Sequence, residues 1–364
     1  MAVKIVHAAD LHMDSPFDAL SEKQAAERRR EQRELLDRLA ELVELERVQL
    51  VLLSGDILDS QSSYYETQEA LVRTFSKMNA RIFIAPGNHD YYCAQSPYSS
   101  DIFPANVHIF KSNRFECVTL NDLGCRVWGA GFVTPHSDML LRGFAADESG
   151  YINIGIVHGD TAGDAYNRIL PEDIAEANLD YLALGHVHTF SGIQKLGNTY
   201  YAYPGCPEGR GFDETGEKGV ILGTVSKGGC DLRFEPLGGR QYRIIRVDLS
   251  DSQNAAESVE RIIGQTYERD IVRLILEGES DCEVNTEEIA GAFSKKVFSL
   301  QIKNLVTPKR DLWEGAGDTG LKGIFLSRLR EMYETSADGE EKEKLILSVK
   351  YGLAALENRE GRRV

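Results

Sequence analysis

VKIVHAADLHMDSPF, residues 3–17, runs from an apolar strand into a loop carrying Asp10, His12 and Asp14, and Pro16 stops any continuation. The same plan recurs along the first half of the chain. VQLVLLSGD (48–56) ends on Asp56, RIFIAPGNHD (81–90) on Asn88, His89 and Asp90, YINIGIVHGD (151–160) reaches His158, and LDYLALGHVH (179–188) reaches His186 and His188. Near-continuous Val, Ile and Leu runs suit strands buried on both faces, which predicts a layered α/β domain. Between the first two strands, residues 26–47 carry Leu35, Leu36, Leu39, Leu42, Val43 and Leu45 at helical spacing, and a second helix is predicted over 64–79.

Beyond this βαβαβ start, VHIF (107–110), RFECVTL (114–120) and CRVWGAGF (125–132) read as successive strands of a second sheet, and 192–235 as hairpins that complete the sheets. Composition changes at EPLGGRQ (235–241). Three strands (242–249, 270–279, 297–306) and two helices (254–266, 285–295) then alternate as a small βαβαβ module, followed by a charged helical tail from Pro308. The domains expected are therefore 1–238, 239–307 and 308–364. No apolar run approaches the roughly 20 residues that cross a bilayer, and the N-terminus lacks the basic start of a secretory signal. Six scattered cysteines without a CxxC spacing read as reduced thiols of a cytoplasmic protein. A net charge of −16 argues against a generic nucleic-acid coat, which needs Lys and Arg, but leaves room for a nuclease whose ions supply local positive charge.

The strand-end residues, taken together, carry chemistry. In open α/β sheets, ligands gather beyond the carboxyl ends of strands, so these clusters can converge. Carboxylate, imidazole and amide oxygen suit divalent ions such as Mn²⁺, Fe²⁺ or Zn²⁺. Seven candidate ligands (Asp10, His12, Asp56, Asn88, His158, His186, His188) exceed the needs of one open site and match two. Two ions about 3.5–4 Å apart can clamp a phosphoryl group.

In order, the motifs D-x-H, G-D, G-N-H-D, H-G and G-H-x-H resemble those of the calcineurin-like metallophosphoesterase superfamily, and HAADLHMDSPF and YPGCPEGRGFDETGEKG resemble segments of DNA repair exonucleases of the SbcD and YhaO type. That resemblance implies a four-layer α/β/β/α sandwich with a small cap and a helical tail. It implies two divalent ions, Mn²⁺ first with Fe²⁺ or Zn²⁺ as alternatives. Asp10, His12 and His188 would hold one, Asn88, His158 and His186 the other, with Asp56 shared. It implies hydroxide attack on a phosphodiester. His89 would donate to the phosphate or leaving oxygen, and Asp90 would orient it. It implies an exonuclease acting on DNA ends in repair, with a phosphoesterase for a small nucleotide or other non-DNA phosphate as the alternative, and a scaffold for an ATPase as the non-enzyme reading. In the archaeal and eukaryotic break-processing nucleases of this superfamily a histidine often follows the Gly-Asp motif by a few residues, whereas this chain places Asp59 there, which departs from their endonuclease pattern.

Other residues have plainer readings beside functional ones. Tyr91 and Tyr92 could stack on a base or pack against their loop. Arg210, between two glycines, could reach a substrate phosphate or brace a turn. Asp14 could sit behind the ligands or be a solvated carboxylate. His7 reads as a hydrogen-bonded core residue, and His108 and His136 have no motif around them. The tail's Leu345, Ile346, Val349, Leu353 and Leu356 could dock on the core or meet a partner, which the resemblance makes the coiled coil of an ABC-type ATPase. The helix at 64–79 could contribute to a homodimer.

Overall fold

The computed structural model describes residues 2–148, 150–163, 166–263, 267–309 and 311–356. Its strands are β1 (Ala2–Ala8), β2 (Leu50–Leu53), β3 (Arg81–Ile84), β4 (Val107–Ile109), β5 (Glu116–Leu120), β6 (Cys125–Ala130), β7 (Ile152–His158), β8 (Tyr181–Gly185), β9 (Gln194–Leu196), β10 (Thr199–Ala202), β11 (Gly219–Ser226), β12 (Gly229–Pro236), β13 (Tyr242–Asp248), β14 (Tyr267–Glu277) and β15 (Val297–Asn304). Its helices are α1 (Glu22–Leu45), α2 (Tyr65–Lys77), α3 (Pro171–Glu176), α4 (Ala255–Ile263), α5 (Thr286–Phe293), α6 (Leu321–Thr335) and α7 (Gly339–Leu356).

Two six-stranded sheets form the middle layers, in the orders β12-β11-β1-β2-β3-β4 and β5-β6-β7-β8-β10-β9. The period-2 rule sorts β2 cleanly. Val51 and Leu53 pack with Leu35, Leu36, Leu39, Val43, Leu71 and Phe75 of α1 and α2. Leu50 and Leu52 pack with Val127, Ile154, Ile156, Tyr181 and Ala183 of the second sheet. The outer face of that sheet is covered by α3 and loops, where Ile169, Ile174 and Ala177 meet Val157, Leu182 and Leu184. The architecture is thus the expected α/β/β/α sandwich, with one helical layer reduced to a six-residue helix.

Helix starts follow from local chemistry. Ser21 caps α1 in a reciprocal pair with Gln24. Tyr64, at the start of α2, lacks a side-chain cap of its own. Asp14 serves instead: its oxygens accept from Tyr64 N (2.8 Å) and Thr67 Oγ1 (2.6 Å). So Asp14 ties the first loop to α2 rather than standing free in solvent.

One sheet assignment is corrected. VHIF does not join the second sheet. Val107–Ile109 run parallel to β3 at the edge of the first, with Ile82 opposite Val107 and Ile84 opposite Ile109. A three-residue strand carries too little pattern to reveal its partner; pairing across the chain decides it.

By compactness the chain divides into Met1–Ile245 with Thr266–Arg273 and Ser294–Gln301, and Arg246–Gln265 with Leu274–Phe293 and Ile302–Val364. β13, β14 and β15 form a three-stranded sheet, with α4 and α5 between them in sequence. In the second unit Val247, Val259, Leu274, Leu276, Ile289 and Phe293 are buried, and α6 and α7 bury Leu326, Leu345 and Val349. The last three residues of the helix expected over 254–266, and tail residues 357–364, lie outside the described residues. Among the described residues, no helix is long and apolar enough to cross a membrane.

Candidate metal centre

β1, β2 and β3 lie side by side and parallel, as do β7 and β8. Each pair or triple therefore delivers its carboxyl-end loops to one side. The two sheets are stitched there by polar bonds: His186 N donates to Asp10 Oδ1 (3.0 Å), and His158 Nδ1 to the Ser54 carbonyl (3.0 Å). Such closeness excludes side chains. A Cβ on Gly185 would lie 1.8 Å from the Ser54 carbonyl oxygen, and one on Gly87 would lie 2.2 Å from Asp56 Oδ1. The backbone is turned hard at the same places. Asp10, His12, Asp56 and His186 all have left-handed φ (55°, 44°, 51° and 109°). Each costs on the order of 1–3 kcal/mol and persists only where surrounding structure demands it.

Asp10, His12, Asp56 and His158 are buried, and three groups of ligand atoms converge: Asp10, His12 and His188; His12, Asp56 and His89; Asp10, Asp56 and His158, each with atoms within 4.8 Å of one another. Asn88 joins by its Oδ1, 3.0 Å from His158 Nε2, and His186 by its Nδ1, 3.3 Å from the same nitrogen. All seven predicted ligands are thus brought to one place. Asp56 stands between the groups, its Oδ2 3.4 Å from His158 Nε2 and 3.8 Å from His12 Nε2.

Proton placement tests whether this set fits cations. His158 Nδ1 must donate to a carbonyl, so its Nε2 is a bare lone pair facing Asp56. His12 Nδ1 donates to Asp59 Oδ1 (3.0 Å) and His188 Nδ1 to Glu214 Oε1 (2.7 Å). Their Nε2 atoms, 3.3 Å apart, therefore present lone pairs to each other, and Asp10 Oδ1 lies 3.9 Å from His188 Nε2. Imidazole lone pairs aimed at one another and at the Asp10 and Asp56 carboxyl groups fit divalent ions.

The electrostatics agree. Burial, then the charge of Asp56, pushes the Asp10 carboxyl well above the usual range. Burial holds His12 down to about 4 and His158 to about 3, so both imidazoles are neutral donors at neutral pH. Burial lowers His186 as well.

One expected role moves. Asp90 does not hold the His89 ring. Its oxygens accept from Ile57 N (2.7 Å), Leu58 N (3.1 Å), Gly87 N (2.8 Å) and Tyr98 Oη (2.6 Å), which fixes the Asp56 and Asn88 loops. The His89 Nδ1 donates to the Asp59 carbonyl (2.9 Å), leaving the Nε2 of this exposed residue free of that bond. Arg210 is committed to carboxylates, donating to Asp59 Oδ1 (3.0 Å) and Glu214 Oε1 (2.9 Å). Tyr91 is half-buried beside the His89 loop. Tyr92 packs against the first core, and Lys111 lies over its ring.

Sequence reasoning missed the work of Asp59 and Glu214. Asp59 stood out only as a missing histidine. Glu214 lies 26 residues beyond His188 in a Gly-rich segment, and no spacing links the two. His136 stacks on Tyr166, which leans on His186 at 5.4 Å, a contact equally without sequence signal.

Comparisons with known proteins fall in line with this geometry. The family model described as calcineurin-like phosphoesterase matches residues 3–190. The uncharacterized metallophosphoesterase YhaO of Bacillus subtilis is 26% identical over 293 residues, 75% of this chain and 71% of that one. The DNA double-strand break repair protein Mre11 of Methanopyrus kandleri is 22% identical over 357 residues, 89% of this chain and 75% of that one. Among solved structures, GAP50, the anchor in the inner membrane complex of Plasmodium, aligns with TM-score 0.39 and 11% identity over 65% of this chain and 85% of that one, a likeness too slight to bear on function.

Proposed function

The chain belongs to the calcineurin-like phosphoesterase family, and on that premise we propose that it is a phosphodiesterase dependent on two divalent ions, Mn²⁺ foremost, that degrades DNA from its ends. The observation that carries this reading is the set of imidazole lone pairs and carboxyl oxygens around Asp56. Asp10, His12 and His188 would hold one ion, Asn88, His158 and His186 the other, and Asp56 both. Bound there, the ions supply the Lewis acidity that polarises a phosphoryl oxygen and readies water for attack near neutral pH.

The protein's own part is orientation and proton delivery. Asp59 and Glu214 hold the His12 and His188 rings through their Nδ1 protons. Asp90 ties together the two loops that bear Asp56 and Asn88. His89, its Nδ1 proton fixed on the Asp59 carbonyl, would deliver a second proton, carried on Nε2 by the doubly protonated imidazolium, to the leaving oxygen, and the ring would be left neutral with Nε2 bare. Asp56 Oδ1 accepts from His89 N (2.9 Å), which locks that loop to the centre.

Kinship to a break-repair protein supports DNA as the substrate. A net charge of −16 favours the second reading, a small nucleotide or other non-DNA phosphate, because a long polyanion meets repulsion. On the DNA reading, residues 1–238 do the chemistry, 239–307 cap the site and 308–364 meet a partner. Exposed Leu321, Ile324, Leu347 and Tyr351 on α6 and α7 support a helical partner such as the coiled coil of an ABC-type ATPase. Exposed Tyr64 and Tyr65 support a homodimer contact at α2. Six free thiols support a cytoplasmic setting. The test is direct: incubate the protein with Mn²⁺ and labelled single- or double-stranded DNA, then with bis-p-nitrophenyl phosphate, beside His89→Ala. Shortening of DNA that His89→Ala abolishes supports the nuclease; hydrolysis of the chromogenic diester alone moves the assignment to the small substrate.

A further inference from the structure

The metal reading rests on His188 offering its Nε2 lone pair, and a neighbouring donor opposes that. His188 Nδ1 lies 2.7 Å from Glu214 Oε1 but also 3.2 Å from Arg210 Nη2. A guanidinium only donates. Were it to win, His188 Nδ1 would become the acceptor, the ring proton would move to Nε2, and the residue would turn a proton instead of a lone pair toward Asp10 and His12. Glu214 prevents this twice. Its Oε1 takes the Nδ1 proton, and the same oxygen draws Arg210 Nη2 at 2.9 Å, while Oε2 accepts from Arg210 N at 2.7 Å. The carboxylate is buried, which makes it a firm acceptor for both groups. On the opposite side Asp59 Oδ1 accepts Arg210 Nη1 and His12 Nδ1, each at 3.0 Å, and Ser15 Oγ at 3.2 Å. The main chain of His188 is pinned independently, its carbonyl accepting from Lys218 Nζ (3.0 Å) and Cys206 N (3.3 Å). With the main chain fixed elsewhere, Glu214 acts on the ring, setting its tautomer as well as holding its orientation.

We infer that Glu214 is a positioning residue: it keeps His188 in the Nδ1-protonated tautomer against the competing Arg210, and so preserves the ion shared with Asp10 and His12. This inference rests on the two-ion reading, and the experiment separates the two. In metal-free, ¹⁵N-histidine-labelled full chain, long-range proton–nitrogen NMR reports the tautomer of His188, identified as the signals missing from His188→Gln. Mn²⁺ titration calorimetry then counts ions. The wild type should show Nδ1–H and bind two ions. Glu214→Ala should switch His188 to Nε2–H and weaken one ion by about 10–100-fold, leaving the other in place. Removing the competitor as well, in Glu214→Ala/Arg210→Met, should recover part of that loss. A merely structural glutamate would make the double variant worse than the single one. Unchanged tautomer in Glu214→Ala, equal weakening of both ions, or no recovery in the double variant overturns the inference. A wild type that binds no divalent ion overturns the two-ion reading itself, while the metal-free tautomers still decide what Glu214 does.

Discussion

His7 and His158 have the same burial and different surroundings. Neither is exposed, and burial holds each imidazole down to about 3. His7 lies in the body of β1, between the sheets, where its nitrogens meet the hydroxyls of Tyr181 (2.8 Å) and Ser54 (2.7 Å). Hydroxyls can donate or accept, so the site closes on itself. His158 ends β7, where its second nitrogen faces Asp56 Oδ2, His186 Nδ1 and Asn88 Oδ1. Desolvation alone therefore does not mark a functional histidine. What marks it is a lone pair surrounded by other lone pairs.

The comparison can be broken at the rim first. Asp56→Asn removes the charge shared by both ligand groups, and Mn²⁺-dependent hydrolysis of bis-p-nitrophenyl phosphate should fall by about 10³-fold or more, the several kcal/mol that Lewis acidity supplies. Retained turnover would show that the rim needs no shared carboxylate. Next, His89→Ala should lower kcat by about 10²–10⁴-fold, the usual size of a proton-transfer contribution. Because His89 is given a proton-delivery role and no ion, calorimetric Mn²⁺ binding should stay intact.

In the core the currency is stability. Leu52→Ala opens a cavity between the sheets and should cost about 2–5 kcal/mol in urea unfolding. That loss should be the same with EDTA as with Mn²⁺, since Leu52 packs away from the rim. Adding Mn²⁺ to metal-free protein should raise stability by about 2.7 kcal/mol per site at 100 times Kd, and Asp56→Asn should abolish most of the gain.

The smallest effect belongs to His7. Its folded-state value, about 3, lies below the ordinary 6.5. As pH falls below 6.5, the unfolded chain binds a proton that the folded chain refuses. Stability is thus fully present above 6.5 and declines by about 1.4 kcal/mol per pH unit on the way down towards 3. Urea midpoints at pH 7 and pH 5, with EDTA throughout, should show a shallower slope for His7→Asn than for the wild type. Equal slopes would mean that His7 is protonated in the folded state.

Much of this was open to reading from the chain alone. Runs such as LVLL in β2 announce strands buried on both faces, and Leu35, Leu36, Leu39 and Val43 announce α1, because side-chain period reports burial directly. The seven ligand candidates were readable because each sits at a strand end, and parallel strands bring their ends together. The strand at 107–109 was misassigned because three residues carry no period. The family resemblance implies that Asp90 orients His89, whereas the backbone turns its carboxylate toward Ile57, Leu58 and Gly87.

The sequence by itself determined the layered α/β class and the identity of the donor atoms, since both follow from residue type and short-range spacing. Only the tertiary structure decided where the protons lie. That Asp59 takes the proton of His12, that Glu214 takes that of His188 in competition with Arg210, and that Asp14 ties the first loop to α2 all depend on contacts across 22 to 53 residues. A hydrogen bond is set by angstrom-scale geometry between atoms the backbone brings together, and no local pattern encodes that.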